Sequence, residues 1–254
     1  MLLAIDVGNT QTHVGAFDGE QLVEHWRFST DRAATADELA MVIHDLLGLR
    51  GIEMDAIHGE AVSSVVPQLV SEYRGMFARY LERDALIVGP GTKTGMPIRV
   101  DNPRELGADR LVNAVAGYER YGSACVIVDF GTAITYDAVS GAGEYLGGII
   151  TPGIEISIEA LTSRAAKLPK VDIERPRSLI GKSTEASIQS GIVYGFAGQV
   201  DGICGRLREE LGQDIKIIAT GGFASVIVGF TSSIDEVDDL LTLKGLRLIY
   251  ERNA

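Results

Sequence analysis

Two short segments of the chain combine a carboxylate, a glycine turn and hydroxyl side chains. The first segment consists of Asp6, Val7, Gly8, Asn9, Thr10, Gln11, Thr12 and His13; the second runs from Asp129 through Gly131 and Thr132 to Thr135. Glycine turns let backbone N–H groups approach a phosphate, and short polar side chains can reach its oxygens. A carboxylate would repel phosphate, so Asp6 and Asp129 are expected to hold a cation or a water. Either segment alone is equally compatible with an ordinary hairpin turn.

The two segments occupy equivalent places in an internal repeat. Asp6 aligns with Asp129, and Gly8 with Gly131, at the same offset of 123 residues (129 − 6 and 131 − 8). Turns at corresponding points of two halves can bind a polyphosphate from both sides, which a simple hairpin does not predict. Phosphate binding is therefore the favoured interpretation of the pair.

Apolar patterning places three successive strands in each half, followed by helices and further strands. The strands are expected at 2–7, 11–17, 21–28, 61–66 and 85–88, then at 123–128, 134–139, 145–150 and 216–219. The helices are expected at 36–49, 69–81, 104–118, 154–165, 184–211 and 235–252. This order predicts a duplicated α/β fold. Its two mixed-sheet halves, 1–119 and 120–254, would carry helices around a central cleft, where ligands commonly bind.

A third segment, Thr220-Gly221-Gly222, follows an apolar strand. A glycine pair lets the backbone lie flat against a planar ring, so this loop is a candidate contact for adenosine. The alternative is an ordinary turn at the start of a helix.

Asp109 and Arg110 form a fourth candidate. Asn102 and Pro103 are typical of a helix start, which would place Asp109 in the N-terminal half of a helix, where a carboxylate is tolerated. Such a carboxylate could accept a proton from an alcohol during phosphoryl transfer. A surface ion pair between the two residues is the alternative.

The combination of DxGN, DxGT and Gly-Gly segments resembles the actin-like ATPase superfamily, whose fold is also called ribonuclease H-like. Within it, the chain resembles type III pantothenate kinases. The residues that carry this closer resemblance lie in four segments spread along the chain: 6–10, 107–110, 129–133 with 147–153, and 239–246.

The resemblance implies ATP-dependent phosphorylation of pantothenate to 4′-phosphopantothenate, the first step of coenzyme A synthesis. It implies that Asp109 is the base, and that pantothenate is bound by Gly107, Ala108, Asp109, Arg110 and Thr184. The guanidinium of Arg110 suits the carboxylate of pantothenate. Without the resemblance, Thr184 would be interpreted as a helix cap. Val100 departs from the family, which often has an aromatic residue just before the Asn-Pro segment.

The same resemblance implies cofactors and a partner. Mg²⁺ is expected to accompany ATP and to be organised by Asp6 through water, and Asp129 is expected to bind K⁺ or ammonium. A homodimer is implied as well. Two rival functions stay open: another small-molecule kinase of the same fold, and a non-catalytic regulatory homologue.

Composition limits other classes. The formal net charge of −12 is unlike that of nucleic-acid-binding proteins. The two cysteines form no metal motif, and the N-terminal segment does not read as a signal peptide, so a reducing, cytoplasmic location without membrane partners is expected. The four histidines share no metal-ligand spacing. Gly181-Lys182-Ser183 is not a P-loop, because Pro176 stands where the first glycine of that motif belongs.

Overall fold

The computed structural model describes residues 1–165, 168–212 and 214–254. The chain forms two compact units. The first comprises residues 1–96, 101–116 and 241–254, and the second comprises residues 97–100 and 117–240. Packing therefore joins the C-terminal segment to the beginning of the chain, which a division at residues 119 and 120 does not anticipate. The predicted boundary between the two halves of the sequence repeat, at residues 119 and 120, stays a prediction.

The first unit contains a five-stranded sheet. Its strands are β1 (Leu2–Val7), β2 (Gln11–Asp18), β3 (Gln21–Ser29), β4 (Gly59–Ser64) and β5 (Leu86–Ile87), in the order β3-β2-β1-β4-β5. β1, β2 and β3 pair antiparallel, whereas β4 runs parallel to β1, and β5 parallel to β4. Helices α1 (Ala36–Gly48) and α2 (Pro67–Tyr80) supply Ile43 and Tyr73 to a core that also contains Leu3, Ile5 and Val62.

The second unit repeats this topology. Its strands are β6 (Cys125–Phe130), β7 (Ala133–Val139), β8 (Tyr145–Pro152), β9 (Lys216–Thr220) and β10 (Glu236–Val237), in the order β8-β7-β6-β9-β10. Helices α4 (Ile154–Arg164), α5 (Thr184–Leu211) and α6 (Ala224–Ile227) cover one face. β6 begins and ends 123 residues after β1 (125 − 2 and 130 − 7), so the predicted duplication of a mixed α/β sheet is confirmed.

Two predicted helix starts are wrong. Asn102 does accept a hydrogen bond from the backbone N–H of Arg104, but it caps only the 3₁₀ turn Pro103–Glu105. Leu106 is extended, and the helix proper, α3, spans Ala108–Tyr121. The last helix, α7, spans Leu241–Glu251 rather than starting at 235, because Glu236 and Val237 pair with β9 as a strand.

Among the helices of the described residues, none combines the length and apolar character needed to cross a membrane. The uncharged stretch 217–234 forms part of β9, a tight turn and the short helix α6.

Candidate active site

The first turn joins β1 to β2 and carries the residues from Asp6 to His13. The backbone N–H of Gly8 donates to the carbonyl oxygen of Gln11 at 3.0 Å, which closes the turn. Asn9 is exposed at the tip, and its Oδ1 accepts a hydrogen bond from Arg32 at 3.1 Å. Thr12 is buried, with its hydroxyl 2.9 Å from that of Thr30. The exposed turn is thus anchored from beneath by a hydroxyl pair of which one member, Thr12, is buried and the other, Thr30, is half-buried.

Asp6 lies in register with His13 of β2 and with Ser63 of β4. Burial, with help from the positive charges of Arg27 and His25, lowers the pKa of His13 to about 4, so the ring is neutral at physiological pH. Ser63 is fully buried. Sequence reasoning did not single out Ser63, because only the parallel register of β4 with β1 places it beside Asp6.

The second turn joins β6 to β7 at Gly131 and Thr132. The N–H of Gly131 donates to the carbonyl oxygen of Ala133 at 3.1 Å, so this turn is one residue tighter than the first, in which Gly8 donates to Gln11. Gly153, the N-cap of α4, packs directly on this turn: a Cβ there would overlap the carbonyl oxygen of Thr132 and lie 2.8 Å from that of Gly131. The N-terminus of an 11-residue helix therefore adjoins the turn, and helix N-termini favour anions.

The Gly-Gly segment meets the second turn. Thr220 lies in parallel register with Asp129, just as Ser63 does with Asp6. Gly221 has φ of +93°, and a Cβ there would lie 2.5 Å from Oδ1 of Asp129, whereas a Cβ on Gly222 would meet nothing within 4 Å. The structure therefore brings Asp129, the Gly131 turn and the Gly221 loop together, and leaves open space beside Gly222.

A buried polar group behind the second turn was not predicted. The hydroxyl of Thr135 donates to Oδ2 of Asp137 at 3.1 Å, and that of Tyr145 donates to Oδ1 at 2.6 Å. Asp137 is fully buried. Thr135, which lies in register with Asp129 as His13 does with Asp6, thus directs its hydroxyl to a neighbouring carboxylate on its own strand.

Asp109 lies in the first turn of α3, closer to the helix N-terminus than predicted. Its Oδ1 accepts a hydrogen bond from the backbone N–H of Arg110 at 2.8 Å. A Cβ on Gly107 would lie 2.5 Å from the same oxygen, so a side chain at this position would force the carboxylate to shift. Burial raises the pKa of Asp109, and the hydrogen bond and the charge of Arg110 oppose that rise. The result is a half-buried carboxylate held at one end of a helix.

Thr184 is exposed at the first position of α5, but it is not the helix cap. That role belongs to Ser183, whose hydroxyl accepts a hydrogen bond from the N–H of Ala186 at 3.1 Å. Thr184 instead lines a cavity of about 300 Å³ between α4 and α5. The other lining residues are mostly apolar and are Leu161, Leu168, Ser187, Ile188, Gly191 and Ile192.

The described residues hold no group of three or more His, Cys, Asp or Glu side chains arranged for a metal ion. Each turn nevertheless sets a carboxylate, Asp6 or Asp129, beside a hydroxyl residue of the neighbouring parallel strand. Hard cations accept such oxygen donors, and Mg²⁺ commonly takes one or two carboxylates with its remaining sites filled by water and substrate phosphates. The donors present therefore fit a cation that binds together with a nucleotide.

The sequence model of one protein family, described as type III pantothenate kinase, matches residues 2–206. A type III pantothenate kinase from Streptomyces griseus is 55% identical over 262 aligned positions, which cover all of this chain and 99% of that protein. One from Myxococcus xanthus is 53% identical over 253 positions, again covering all of this chain and 99% of the relative.

Solved structures of lower similarity share the fold. A protein from Campylobacter jejuni that was assigned to the Baf family of transcriptional activators superimposes with a TM-score of 0.58 at 18% identity, covering 99% of this chain and 98% of that one. An inorganic polyphosphate/ATP-glucomannokinase from an Arthrobacter strain superimposes with a TM-score of 0.50 at 12% identity, covering 99% and 97%. These likenesses support the predicted actin-like fold, and fold alone does not assign an activity.

Proposed function

Because the chain belongs to the type III pantothenate kinase family, we propose that it transfers the γ-phosphate of ATP to the 4′-hydroxyl of pantothenate. The product is 4′-phosphopantothenate, and the reaction is the first step of coenzyme A biosynthesis. The observation that carries this proposal is the 55% identity to a type III pantothenate kinase over the whole chain.

We assign the proton acceptor to Asp109. Phosphoryl transfer passes through a loose transition state in most analyses, so positioning of the alcohol matters more than a strong base. The carboxylate of Asp109 is fixed by the N–H of Arg110 and by the space at Gly107. Its raised pKa makes it a better proton acceptor than an exposed aspartate.

ATP is proposed to bind through the two turns and the glycine loop. The segment from Asp6 to His13 and the Gly131-Thr132 turn would contact phosphates, with the N-terminus of α4 adding favourable potential at the second turn. The Gly221-Gly222 loop would contact adenosine, which the open space beside Gly222 supports.

Two cations are proposed with the nucleotide. Asp6 would hold Mg²⁺ through water, and Asp129 would hold K⁺ or ammonium. When bound, such cations neutralise charge on the phosphate oxygens. The protein supplies the two carboxylates, with Ser63 and Thr220 in register beside them on the neighbouring parallel strands.

Pantothenate is proposed to contact Gly107 to Arg110 and Thr184. Arg110 would pair with its carboxylate, and the apolar cavity beside Thr184 suits its two methyl groups. A homodimer is proposed too, supported by exposed apolar side chains at Ile150, Leu179 and Ile180. A cytoplasmic location stays a prediction, which the two buried free thiols, Cys125 and Cys204, favour.

A coupled assay of ADP release tests the proposal. We expect pantothenate to support ADP formation in the presence of Mg²⁺ and K⁺, and Asp109→Asn to lower kcat by at least about a hundredfold. Sugars in place of pantothenate serve as control acceptors. Turnover with a sugar but not with pantothenate would favour a different kinase, and no turnover with any acceptor would favour the regulatory alternative. If the activity of the wild type does not depend on K⁺, the proposed role of Asp129 as a ligand of the monovalent cation would be wrong.

A further inference from the structure

Helix α7 belongs to the first unit, although its residues come last in the chain. The segment 239–246, which contributes to the family resemblance, covers the start of this helix and has no chemical role in the proposed mechanism. Its contacts with the sheet and with α3 suggest what it does.

On one side, α7 rests on the sheet that carries the first turn. It packs on β1, β2 and β4. Two glycines of the sheet make room for its side chains. A Cβ on Gly15 would lie 2.9 Å from Cδ1 of Leu243, and one on Gly59 would overlap the ring of Tyr250. The position of α7 on the sheet is therefore set by close contacts at two places along the helix.

On another side, α7 touches α3. A Cβ on Gly245 would overlap the carbonyl oxygen of Val112 and lie 2.7 Å from its Cγ1, so the backbones of the two helices meet at this point. One residue further along α3, Oδ1 of Asn113 accepts a hydrogen bond from the hydroxyl of Thr242 at 2.7 Å. Asn113 is almost completely buried, at 1% exposure. A buried polar contact of this kind fixes one arrangement of two helices, because losing it would leave the amide oxygen without that partner.

Asp109 precedes Asn113 by four residues on α3. Residues four apart lie on the same face of a helix, one turn apart. A shift of α3 at Asn113 or Val112 would therefore move the carboxylate of Asp109 relative to β1.

From these contacts we propose that Gly245 and Thr242 are positioning residues. Helix α7 contacts both the first sheet and α3, so it fixes α3 relative to the sheet. It thereby fixes the position of Asp109 relative to the Asp6 turn. This inference rests on the proposed role of Asp109 as the base. It adds that the two residues affect the chemical step without touching either substrate.

Two substitutions on α7 test the proposal by separating kcat from nucleotide binding. In Gly245→Ala, the new methyl pushes α3 away from α7. A misplacement of about 1 Å can cost a hundredfold in rate, so we expect kcat to fall by about a hundredfold. In Thr242→Val the hydrogen bond is lost at constant size, and we expect about a tenfold fall. Thr242→Ser keeps the hydroxyl and should restore kcat to within about threefold of wild type.

Each kcat is expressed per nucleotide-binding site, with the sites counted by titration with ADP. KM for ATP should stay within about twofold in all three variants, because the first turn is held by the sheet itself. Gly198→Ala is the matched control, since a Cβ there meets nothing within 4 Å in the middle of α5. It should behave as wild type in every measurement.

If the rate per mole of protein falls only in proportion to the number of ADP-binding sites, so that kcat per site is unchanged, the role is merely structural and the proposal is overturned. Unchanged kcat in Thr242→Val, or a Thr242→Ser variant as slow as Thr242→Val, would overturn it too. If Gly245→Ala does not fold, the comparison of Thr242→Val with Thr242→Ser tests the proposal by itself. A full-rate Asp109→Asn enzyme would instead refute the role of Asp109. An inactive Asp109→Asn with fully active α7 variants would refute only the inference drawn from α7.

Discussion

The adjacent glycines Gly221 and Gly222 allow a paired experiment on the proposed adenosine loop. Gly221 has φ of +93°, and a Cβ there would face Oδ1 of Asp129 at 2.5 Å and the backbone nitrogen of Phe130 at 2.6 Å. A Cβ on Gly222 would meet no atom within 4 Å. Gly221→Ala should therefore damage the fold of the loop, whereas Gly222→Ala should place a methyl only in the space where we expect the nucleotide.

The size of the first effect follows from two costs. A non-glycine residue held at such a φ costs about 1–3 kcal/mol. Ordinary contact begins at 3.4 Å, so the methyl at Gly221 would overlap by 0.8 Å (3.4 − 2.6) with the backbone nitrogen of Phe130, which has little freedom to move. Overpacking of this kind adds about 1–3 kcal/mol. A total of about 2–6 kcal/mol should lower Tm by at least about 4 °C in a chain of this length.

Differential scanning fluorimetry, with and without ATP, measures both effects. We expect Gly222→Ala to unfold within about 2 °C of wild type in the absence of nucleotide. It should need about tenfold more ATP for the same stabilisation, which corresponds to about 1.4 kcal/mol of binding free energy.

Either of two results would refute this reasoning. Equal Tm values for Gly221→Ala and wild type would mean that the backbone at Gly221 is not held against Asp129. Unchanged ATP affinity in Gly222→Ala would mean that adenosine does not lie against this loop.

Three further predictions concern the turn at Thr132 and two titrating groups. Gly153→Ala should move the N-terminus of α4 off the second turn, because the methyl would overlap the carbonyl of Thr132; steady-state kinetics should show kcat/KM for ATP lower by about a hundredfold, and a value within threefold would contradict the assigned contact. The raised pKa of Asp109 means that the folded state binds its proton more tightly than the unfolded state, so stability falls as pH rises through this range. Asp109→Asn should therefore have a higher Tm than wild type at pH 7 while losing activity. In the wild type, the apparent pKa on the acidic side of the pH profile of kcat/KM should lie above the ordinary aspartate value of 3.8. An equal or lower Tm in the variant would argue against the desolvation of this carboxyl. For His13 the sign is reversed: its pKa is lowered from 6.5 to about 4, so the unfolded state binds the proton more tightly and stability is lost as pH falls from about 6.5 towards 4. Urea unfolding at pH 7 and pH 5 should show this loss in wild type and a smaller one in His13→Gln, and identical losses would place the titrating group elsewhere.

The repeated strands were predictable because alternating apolar residues and glycine turns are local signals. Asp6 and Asp129 stand at equivalent positions of the chain, so the duplication can be found without knowing how the strands pair. The register of the parallel strands has no such signal. Ser63 lies beside Asp6 because β4 pairs with β1 in parallel, and no pattern in the sequence reveals that pairing.

The predicted helix boundaries were wrong where residues typical of a helix start are followed by backbone that does not stay helical. Asn102 and Pro103 are good helix-start residues, and they do start a helical turn, but the extended conformation of Leu106 ends it. The helix that carries Asp109 begins only at Ala108. Near the C-terminus, Glu236 and Val237 became an edge strand because β9 offered an unpaired edge, which no local pattern reveals.

The return of α7 to the first unit has a consequence for how the protein is made. A ribosome adds about 5–20 residues per second, so the 177 residues from the end of β4 to the start of α7 (241 − 64) take roughly 9–35 seconds to synthesise. During that interval the sheet face at Gly15 and Gly59 lacks the helix that covers it in the finished molecule. The packing of the nascent first unit is therefore completed only after residues 241–251 have been synthesised, and premature termination upstream of residue 241 would leave the unit without this helix.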